Sequence, residues 1–192
     1  MNFSNLDWAL IGEATIDTLL MTGISLGFTA IIGLPLGVLL FLTSRKQMLD
    51  NAWIYQSLSL IVNILRSVPF LILLIVIIPL TRILAGTSLG VQGAIPPLVL
   101  SAAPFFARLV ENVLRELDPG VNEACRAMGA NSRQTVLLAL LPEATTGIVA
   151  ALIVTAIALV GYSAMSGVIG GGGWVTWPCA LVINDIKRMS WW

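Results

Sequence analysis

The sequence predicts an all-α membrane protein, a polytopic helical bundle with four spans. Of its 192 residues, 57% are hydrophobic and only 10% are charged, whereas a soluble domain carries about 25% charged residues. Its mean hydropathy is +0.94. A chain this apolar cannot cover a water-facing surface, so the composition argues against a soluble enzyme and against a disordered chain.

Composition also limits the kinds of site. The formal net charge is zero, which leaves no basic surface for nucleic acid. The chain has no histidine, so imidazole metal ligands and histidine acid–base chemistry are absent. Cys125 and Cys179 lie far apart in different surroundings and are interpreted as free thiols. We therefore expect no metal, no cofactor and no catalytic residue.

The first predicted span runs from about 19 to 42 and is uncharged. It contains two small-xxx-small pairs, a spacing that lets a second helix approach closely. These glycines are Gly23, Gly27, Gly33 and Gly37. Pro35 is expected to bend the helix. We do not expect the residues before this span to be a secretory signal, because they are acidic where a signal peptide is basic.

The next apolar stretch divides into two helices. We predict a short helix at 51–66 and the second span at about 68–84. Arg66 is placed at the membrane interface between them, because a charge in the middle of the bilayer is costly.

The third and fourth spans differ in their prolines. Span three, about 91–110, contains three of them, and their missing hydrogen bonds predict an irregular helix that is buried in protein. They are Pro96, Pro97 and Pro104. Span four, about 145–168, is uncharged and is followed by a run of four glycines at 170–173, interpreted as an outer turn.

Charges concentrate between spans three and four. Nine of the twenty charged residues fall within 108–143, so 111–144 is the large water-exposed segment. The positive-inside rule places this segment in the cytoplasm and the N-terminus outside. The bases assigned to the cytoplasmic side are Arg45, Lys46, Arg108, Arg115, Arg126 and Arg133, against Arg82 alone on the other side.

Local signals within 111–144 predict a helix, a glycine and a second helix. Asp118 and Pro119 are typical of a helix start, and Gly129 is typical of a helix end. Asn131 or Ser132 caps the second helix, which is expected to end near Pro142. Its apolar side is predicted to be Val136, Leu137, Leu140 and Leu141. Two interpretations stay open: a helix that packs back on its own bundle, or a helix offered to a partner's groove.

These residues resemble the cytoplasmic signature of permease subunits of ATP-binding-cassette importers. The pattern is E-A-A, three residues, G, and later a hydrophobic residue and L-P. Here it reads Glu123-Ala124-Cys125, then Gly129-Ala130, then Leu141-Pro142, with Cys125 in place of the usual small third residue. The resemblance implies that this segment is the coupling helix that docks on the ATPase subunit.

Further segments resemble the methionine-importer branch of that family, over roughly residues 15–173. They are N-I-L-R-S-V-P-F at 63–70, A-A-P-F at 102–105, R-A-M-G-A at 126–130 and G-Y-S-A-M at 161–165. The resemblance implies the small five-span permease fold of a bacterial inner-membrane homodimer. It also implies two ATPase subunits, a lipid-anchored methionine-binding protein, and transport of L- and D-methionine.

Two sets of polar residues are further candidates. Tyr162, Ser163 and Met165 stand at the position of the family's constricted region, so the resemblance implies a gate, with simple helix packing as the alternative. Arg108 and Glu111 are three residues apart and are predicted to pair on one helix. We place this pair at the exposed interface, where such a pair contributes about 0–1 kcal/mol.

Two other classes of membrane protein fit the sequence less well than an importer permease. A secondary transporter usually keeps an acid in the membrane for its coupling ion, but the only acid next to a predicted span is Glu111, at the cytoplasmic end of span three. A scaffold without a transport path fits poorly with the proline-rich span and the capped helices. An importer permease for another small solute remains the nearest alternative. No phosphate-binding G-x-x-x-x-G-K-[ST] motif is present, so ATP hydrolysis is assigned to a partner.

The resemblance stops after Gly173. The tail, 174–192, is rich in tryptophan, and its charges Asp185, Lys187 and Arg188 leave no room for a fifth span. With permitted codons, a shifted reading frame gives LGDLALRFGYQRYQTDVMV, which resembles the family's continuation. We therefore expect 1–173 to be the permease domain. The tail is either a genuine interfacial segment, since tryptophan favours the membrane boundary, or the result of a frameshift that impairs or abolishes transport, and we favour the frameshift. Sequencing the encoding DNA checks this, since a shifted frame that does not continue into an apolar run contradicts it.

Overall fold

The computed structural model describes residues 8–44, 51–86 and 90–168, and all regular structure in these ranges is helical. The predicted all-α fold class is confirmed. Cys179, the glycine run at 170–173 and the tail lie outside the described residues. In chain order the elements are α1 (Trp8–Thr43), α2 (Ala52–Ser67), α3 (Phe70–Ala85), α4 (Gly90–Arg115), α5 (Pro119–Ala127), α6 (Ser132–Gln134), a π-helical stretch (Thr135–Leu140), α7 (Leu141–Glu143) and α8 (Thr145–Val168).

Three of the described helices are long and apolar enough to cross a membrane. They comprise Ile11–Thr43, Gly90–Arg115 and Thr145–Gly167, and α2 with α3 forms a fourth candidate if the two are counted together. The 16 residues of α3 extend about 24 Å, which is shorter than the ~30 Å hydrocarbon core. The stretch proposed at 68–84 is therefore a candidate span only if the bent pair of α2 and α3 is counted as one. The break falls at Val68, whose extended backbone is typical of a residue before proline.

The helices extend beyond the predicted spans or run through their prolines. α1 begins at Trp8 and includes Glu13 and Asp17, because a helix can continue past the apolar stretch into water, and the predicted span at 19–42 lies within it. α4 is helical through its three prolines and α1 is helical through Pro35, while the bend expected at Pro35 stays a prediction. The expected burial of α4 is confirmed, since Pro97 and Pro104 are buried. That burial supplies the neighbouring helices that tolerate proline inside a membrane helix.

The chain forms two compact units, and the larger hydrophobic core lies in the second. The first unit comprises the described residues of 1–27, 69–99 and 156–192, and the second comprises those of 28–68 and 100–155. In the second unit one core joins α1, α4, the π-helical stretch and α8. Its buried residues are Val38, Phe41, Leu42, Phe106, Val110, Leu114, Val136, Leu140, Ala144, Ile148 and Ala151.

One of the two glycine pairs in α1 is a site of close helix approach. A Cβ at Gly33 would lie 2.9 Å from the backbone oxygen of Ala103, and one at Gly37 would lie 2.6 Å from that of Ala107. These glycines let α1 pack directly on the backbone of α4 in the second unit. By contrast, a Cβ at Gly23 or Gly27 would have nothing within 4 Å among the described residues.

This difference predicts unequal effects of the same substitution. Gly37→Ala is expected to lower the free energy of unfolding by about 1–3 kcal/mol, because a rigid backbone atom blocks the added methyl group. Gly23→Ala, the matched control on the same helix, is expected to leave stability unchanged. Thermal unfolding of the purified protein in detergent measures both variants, and equal shifts would contradict the packing described here.

Candidate functional site

The first of the two helices predicted within the cytoplasmic segment is α5, whose two ends are formed by local hydrogen bonds. At the start, the Gly120 amide donates to the Asp118 carboxylate at 2.8 Å. At the other end Gly129 has φ +76°, and the Ala130 amide donates to the Cys125 carbonyl at 3.0 Å. This is the six-to-one bond of a Schellman cap, which requires a left-handed residue and so favours glycine. The predicted helix end at Gly129 is confirmed.

The signature residues of α5 divide between two sides of the helix. Cys125 is only 7% exposed, and α5 packs against the π-helical stretch. Glu123, Ala124 and Gly129 are exposed, as is Met128 at 77%. The third signature position therefore faces the protein, which explains why a small side chain such as cysteine is accommodated there. The opposite side is open to a partner.

The second helix of the segment departs from its predicted form. Its start is capped as expected, since the Asn131 amide donates to the Gln134 side chain at 3.0 Å. Residues 135–140 then form a π-helix, in which the Leu141 amide donates to the carbonyl of Val136. Pro142 provides the physical cause, because it has no amide to donate and its ring crowds the carbonyl four residues earlier. The helix also runs on to Glu143, and only Ala144 separates it from α8.

The apolar side predicted for this helix is partly wrong. Val136 and Leu140 are buried as expected and Leu141 is half-buried, but Leu137 is 62% exposed and Leu138 is exposed beside it. The π-helical turn changes which positions share a face, and regular α periodicity does not reveal it. The first interpretation therefore holds for the inner side, which packs on the core; the second stays a prediction, and the outer side is the exposed apolar surface that it requires.

The predicted pair of Arg108 and Glu111 is confirmed, with 2.6 Å between Nη1 and Oε2. It is not a surface pair, however, because Glu111 is only 1% exposed. Arg115 donates to the same carboxylate through Nε at 3.0 Å and Nη2 at 2.8 Å, and the Tyr55 hydroxyl donates to it at 3.2 Å. One buried acid thus holds two arginines, which makes the network costly to disrupt.

Three residues of α2 complete this network and were missed from sequence. Arg108 Nη2 donates to Ser59 at 2.7 Å and to the Asn63 oxygen at 2.9 Å, while Arg115 Nη2 donates to the Tyr55 hydroxyl at 3.1 Å. The available signal was their spacing, because 55, 59 and 63 recur every four residues and form one polar stripe on a helix. Arg66 lies outside the network: it is exposed and sits 5.8 Å from the ring centroid of Phe105.

The gate candidates lie near the end of α8, in the first unit. Tyr162 stacks on Phe70 with ring centroids 4.9 Å apart, so this side chain is packed between helices. Ser163 is buried and donates to the Val160 carbonyl at 2.8 Å. Met165 is 45% exposed and is therefore available to a neighbouring molecule.

A mostly apolar cavity lies beside these residues. It has a volume of about 310 Å³ and is lined by Thr18, Val160, Ser163 and Ala164. On the following turns of α1, the hydroxyls of Thr22 and Ser25 are buried with no hydrogen-bond partner among the described residues. The sequence reading missed them, although their spacing after Thr18 is that of one helix face. Within 8–44, 51–86 and 90–168 no three His, Cys, Asp or Glu side chains are grouped to hold a metal ion.

The protein has long apolar helices joined to an exposed, capped helix–glycine–helix segment. This combination is typical of one class of protein, a membrane permease that works with partner proteins. The chain matches the family of binding-protein-dependent transport system inner membrane components over residues 32–184, and it belongs to that family.

Proteins similar to this chain include methionine permeases. A D-methionine transport system permease protein MetI of Salmonella typhi is 54% identical over 160 residues, covering 83% of this chain and 73% of that protein. The protein of the same name from Escherichia coli K12 is 53% identical over 160 residues, with the same coverage. A solved structure of the MetNI methionine ABC transporter in an inward-facing conformation matches with a TM-score of 0.88 and 47% identity, covering 98% of this chain and 90% of that chain. The resemblance to the methionine-importer branch is therefore confirmed.

Proposed function

We propose that this chain is the membrane-spanning permease subunit of an ATP-driven importer for L- and D-methionine. The observation that supports this most directly is the exposed outer side of α5, which presents Glu123, Ala124 and Gly129 of the family signature. Identity of about half to the methionine permeases supports the choice of substrate. The chain itself hydrolyses no ATP in this proposal, since it lacks a phosphate-binding motif.

The proposed assembly contains two copies of the chain, two ATPase subunits and a lipid-anchored methionine-binding protein. A single copy offers three or four spanning helices among its described residues, which are too few to enclose a path for an amino acid. A second copy related by a two-fold axis supplies the missing helices, and the pair presents two coupling segments to two ATPases. Segment 111–144 lies on the cytoplasmic side in this arrangement, as the positive-inside rule requires, and the complex resides in the bacterial inner membrane.

We further propose that the outer side of the coupling segment transmits ATPase closure to the bundle. The signature residues assigned to this contact are Glu123, Ala124, Cys125, Gly129, Ala130, Leu141 and Pro142, with Cys125 acting from the inner side. Exposed Met128 and Leu137 add the apolar anchors that a helix-in-groove contact uses. The inner side shares a core with α1, α4 and α8, so a displacement of the segment reaches the spanning helices.

The proposed path is weakly polar and uncharged. The cavity beside Ser163 and the unpartnered hydroxyls of Thr22 and Ser25 offer hydrogen bonds without the strong charge pairing that would trap a zwitterion. Met165 is assigned to the gate at the two-fold axis, because its flexible thioether closes a gap without a fixed geometry. Tyr162 positions this end of α8 by stacking on Phe70.

The gate assignment predicts a cross-link between subunits. Met165→Cys, in a chain from which Cys125 and Cys179 have been removed, is expected to form an intermolecular disulfide in at least one nucleotide state. Val149→Cys, an exposed site four to five turns earlier on the opposite face of α8, is the control and is expected to remain monomeric on a non-reducing gel. Absence of a Met165→Cys cross-link in every state would contradict an axial gate.

Uptake of labelled methionine tests the function. Proteoliposomes holding the chain, the ATPase subunit and the binding protein are expected to accumulate methionine only when ATP is supplied. The tail hypothesis predicts a lower rate for this chain than for a frame-restored version, so both belong in the same experiment. Lack of uptake by both the chain and the frame-restored version, or uptake without the ATPase subunit, would contradict the proposal.

A further inference from the structure

A second cavity lies in the other compact unit and has no part in the proposed transport path. It is lined by Ala52, Tyr55, Gln56 and Arg115 and has a volume of about 240 Å³. Ala52 is the first residue of α2, and Arg115 is the last residue of α4. The cavity therefore sits where one helix begins and a candidate membrane span ends, beside the buried Glu111 network.

The charge next to this cavity is positive. Glu111 is the single acid between Arg108 and Arg115, so the three side chains together carry one uncompensated positive charge. Arg115 uses Nε and Nη2 on Glu111 and Tyr55, while its Nη1 has no acceptor among the described residues. Its side chain is 44% exposed. The Arg115 guanidinium therefore keeps unused N–H donors and is held in place by a buried network. Such a group is suited to bind an oxyanion.

The position of the cavity at the end of α4 places it at the membrane surface. A helix needs about 20 residues to cross the hydrocarbon core, and Arg115 is the last of the 26 residues of α4. Trp53 and Ile54, which follow Ala52, are 82% and 52% exposed. Tryptophan favours the boundary between headgroups and acyl chains. A positive cavity thus adjoins an exposed apolar surface at headgroup level.

We propose that this cavity binds the headgroup phosphate of an anionic membrane phospholipid. Arg115 Nη1 donates to the phosphate, the Gln56 amide and Tyr55 line the headgroup, and the acyl chains lie along Trp53 and Ile54. Free inorganic phosphate offers the same oxygens to Arg115, but it leaves the apolar surface uncovered. The adjoining tryptophan therefore favours the lipid over the free ion.

Native mass spectrometry of the purified protein with added phosphatidylglycerol tests this site. Gln56→Glu places a carboxylate in the cavity without removing a partner of Glu111, and it is expected to reduce retained phosphatidylglycerol at least fivefold. Arg133→Gln, an exposed site on α6, changes the net charge by the same amount and is expected to leave retention unchanged. Trp53→Ser is expected to weaken retention about threefold through loss of the acyl contact.

The remaining outcomes decide the nature of the ligand. Equal retention in Gln56→Glu and the parent protein, or an equal loss in Arg133→Gln, would overturn the site. Displacement of phosphatidylglycerol by low-millimolar inorganic phosphate would overturn the lipid in favour of the free ion. Retention of phosphatidylcholine as strong as that of phosphatidylglycerol would show that net lipid charge is not recognised and would also contradict the proposal. None of these results depends on methionine transport, so failure here and failure of the proposed function are distinguishable.

Discussion

Replacement of Gly129 by leucine is expected to reduce the amount of ATPase subunit that co-purifies with the chain by at least tenfold, equivalent to about 1.4 kcal/mol of binding free energy. Gly129 adopts φ +76°, and a residue with a Cβ pays roughly 1–2 kcal/mol in that conformation. The end of α5 is then expected to unwind, and the exposed signature residues lose their fixed positions. The amount of chain in the membrane is expected to stay the same, because a Cβ at Gly129 would meet no atom within 4 Å in the described part of the chain.

Matched variants separate docking from folding. Gly129→Asn is the conservative control, since asparagine tolerates the left-handed conformation, and most of the ATPase is expected to be recovered with it. Glu123→Lys reverses an exposed charge on the outer side of α5 and is expected to lower recovery, whereas Glu116→Lys, exposed but outside the signature, is not. Unchanged recovery and transport in both Gly129→Leu and Glu123→Lys would contradict the coupling assignment.

Substitution of Glu111 by glutamine is expected to produce the largest loss of stability. It leaves Arg108 without its acid inside the protein, where breaking a buried ion pair costs about 3–5 kcal/mol. The exposed Glu116, on the turn after Glu111, gives the matched control. Glu116→Gln is expected to change stability by less than about 0.5 kcal/mol.

Thermal unfolding in detergent measures both glutamine variants. A double variant, Glu111→Gln with Arg108→Leu, is expected to recover part of the loss because it removes one of the two unpaired charges. If Glu111→Gln were as stable as Glu116→Gln, the buried network would not contribute as described. The double variant leaves Arg115, which is partly exposed, as the only arginine of the network without its acid. If the Arg115 guanidinium can reach water, the loss of stability that remains in the double variant is expected to be small.

Features set by local chemistry were predictable from the sequence. The start of α5 at Pro119 and its end at Gly129 depend on capping bonds between residues a few positions apart, so spacing alone reveals them. The apolar composition likewise predicted an all-α membrane fold. The family signature located the coupling segment, because its elements have fixed spacing within one loop.

Features set by tertiary contacts were not predictable in the same way. Nothing near Glu111 in sequence shows that Tyr55 approaches it, or that Ser59 approaches Arg108, from another helix, so the sequence alone predicts an exposed pair. The π-helical stretch follows from Pro142, but a periodicity of 3.6 residues hides the change of face at Leu137. The glycine pairs of α1 show the same limit, since identical spacing gives a close contact at Gly37 and open space at Gly23.

The composition of the purified complex tests the central claim most directly. The chain, co-expressed with the ATPase subunit of its importer and extracted in mild detergent, is weighed by native mass spectrometry. The proposed permease is expected to appear as a complex of two chains and two ATPase subunits, which separates when Gly129→Leu is introduced. Recovery of the chain alone, with no ATPase bound in any nucleotide state, would contradict its assignment as the permease subunit of an ATP-driven importer.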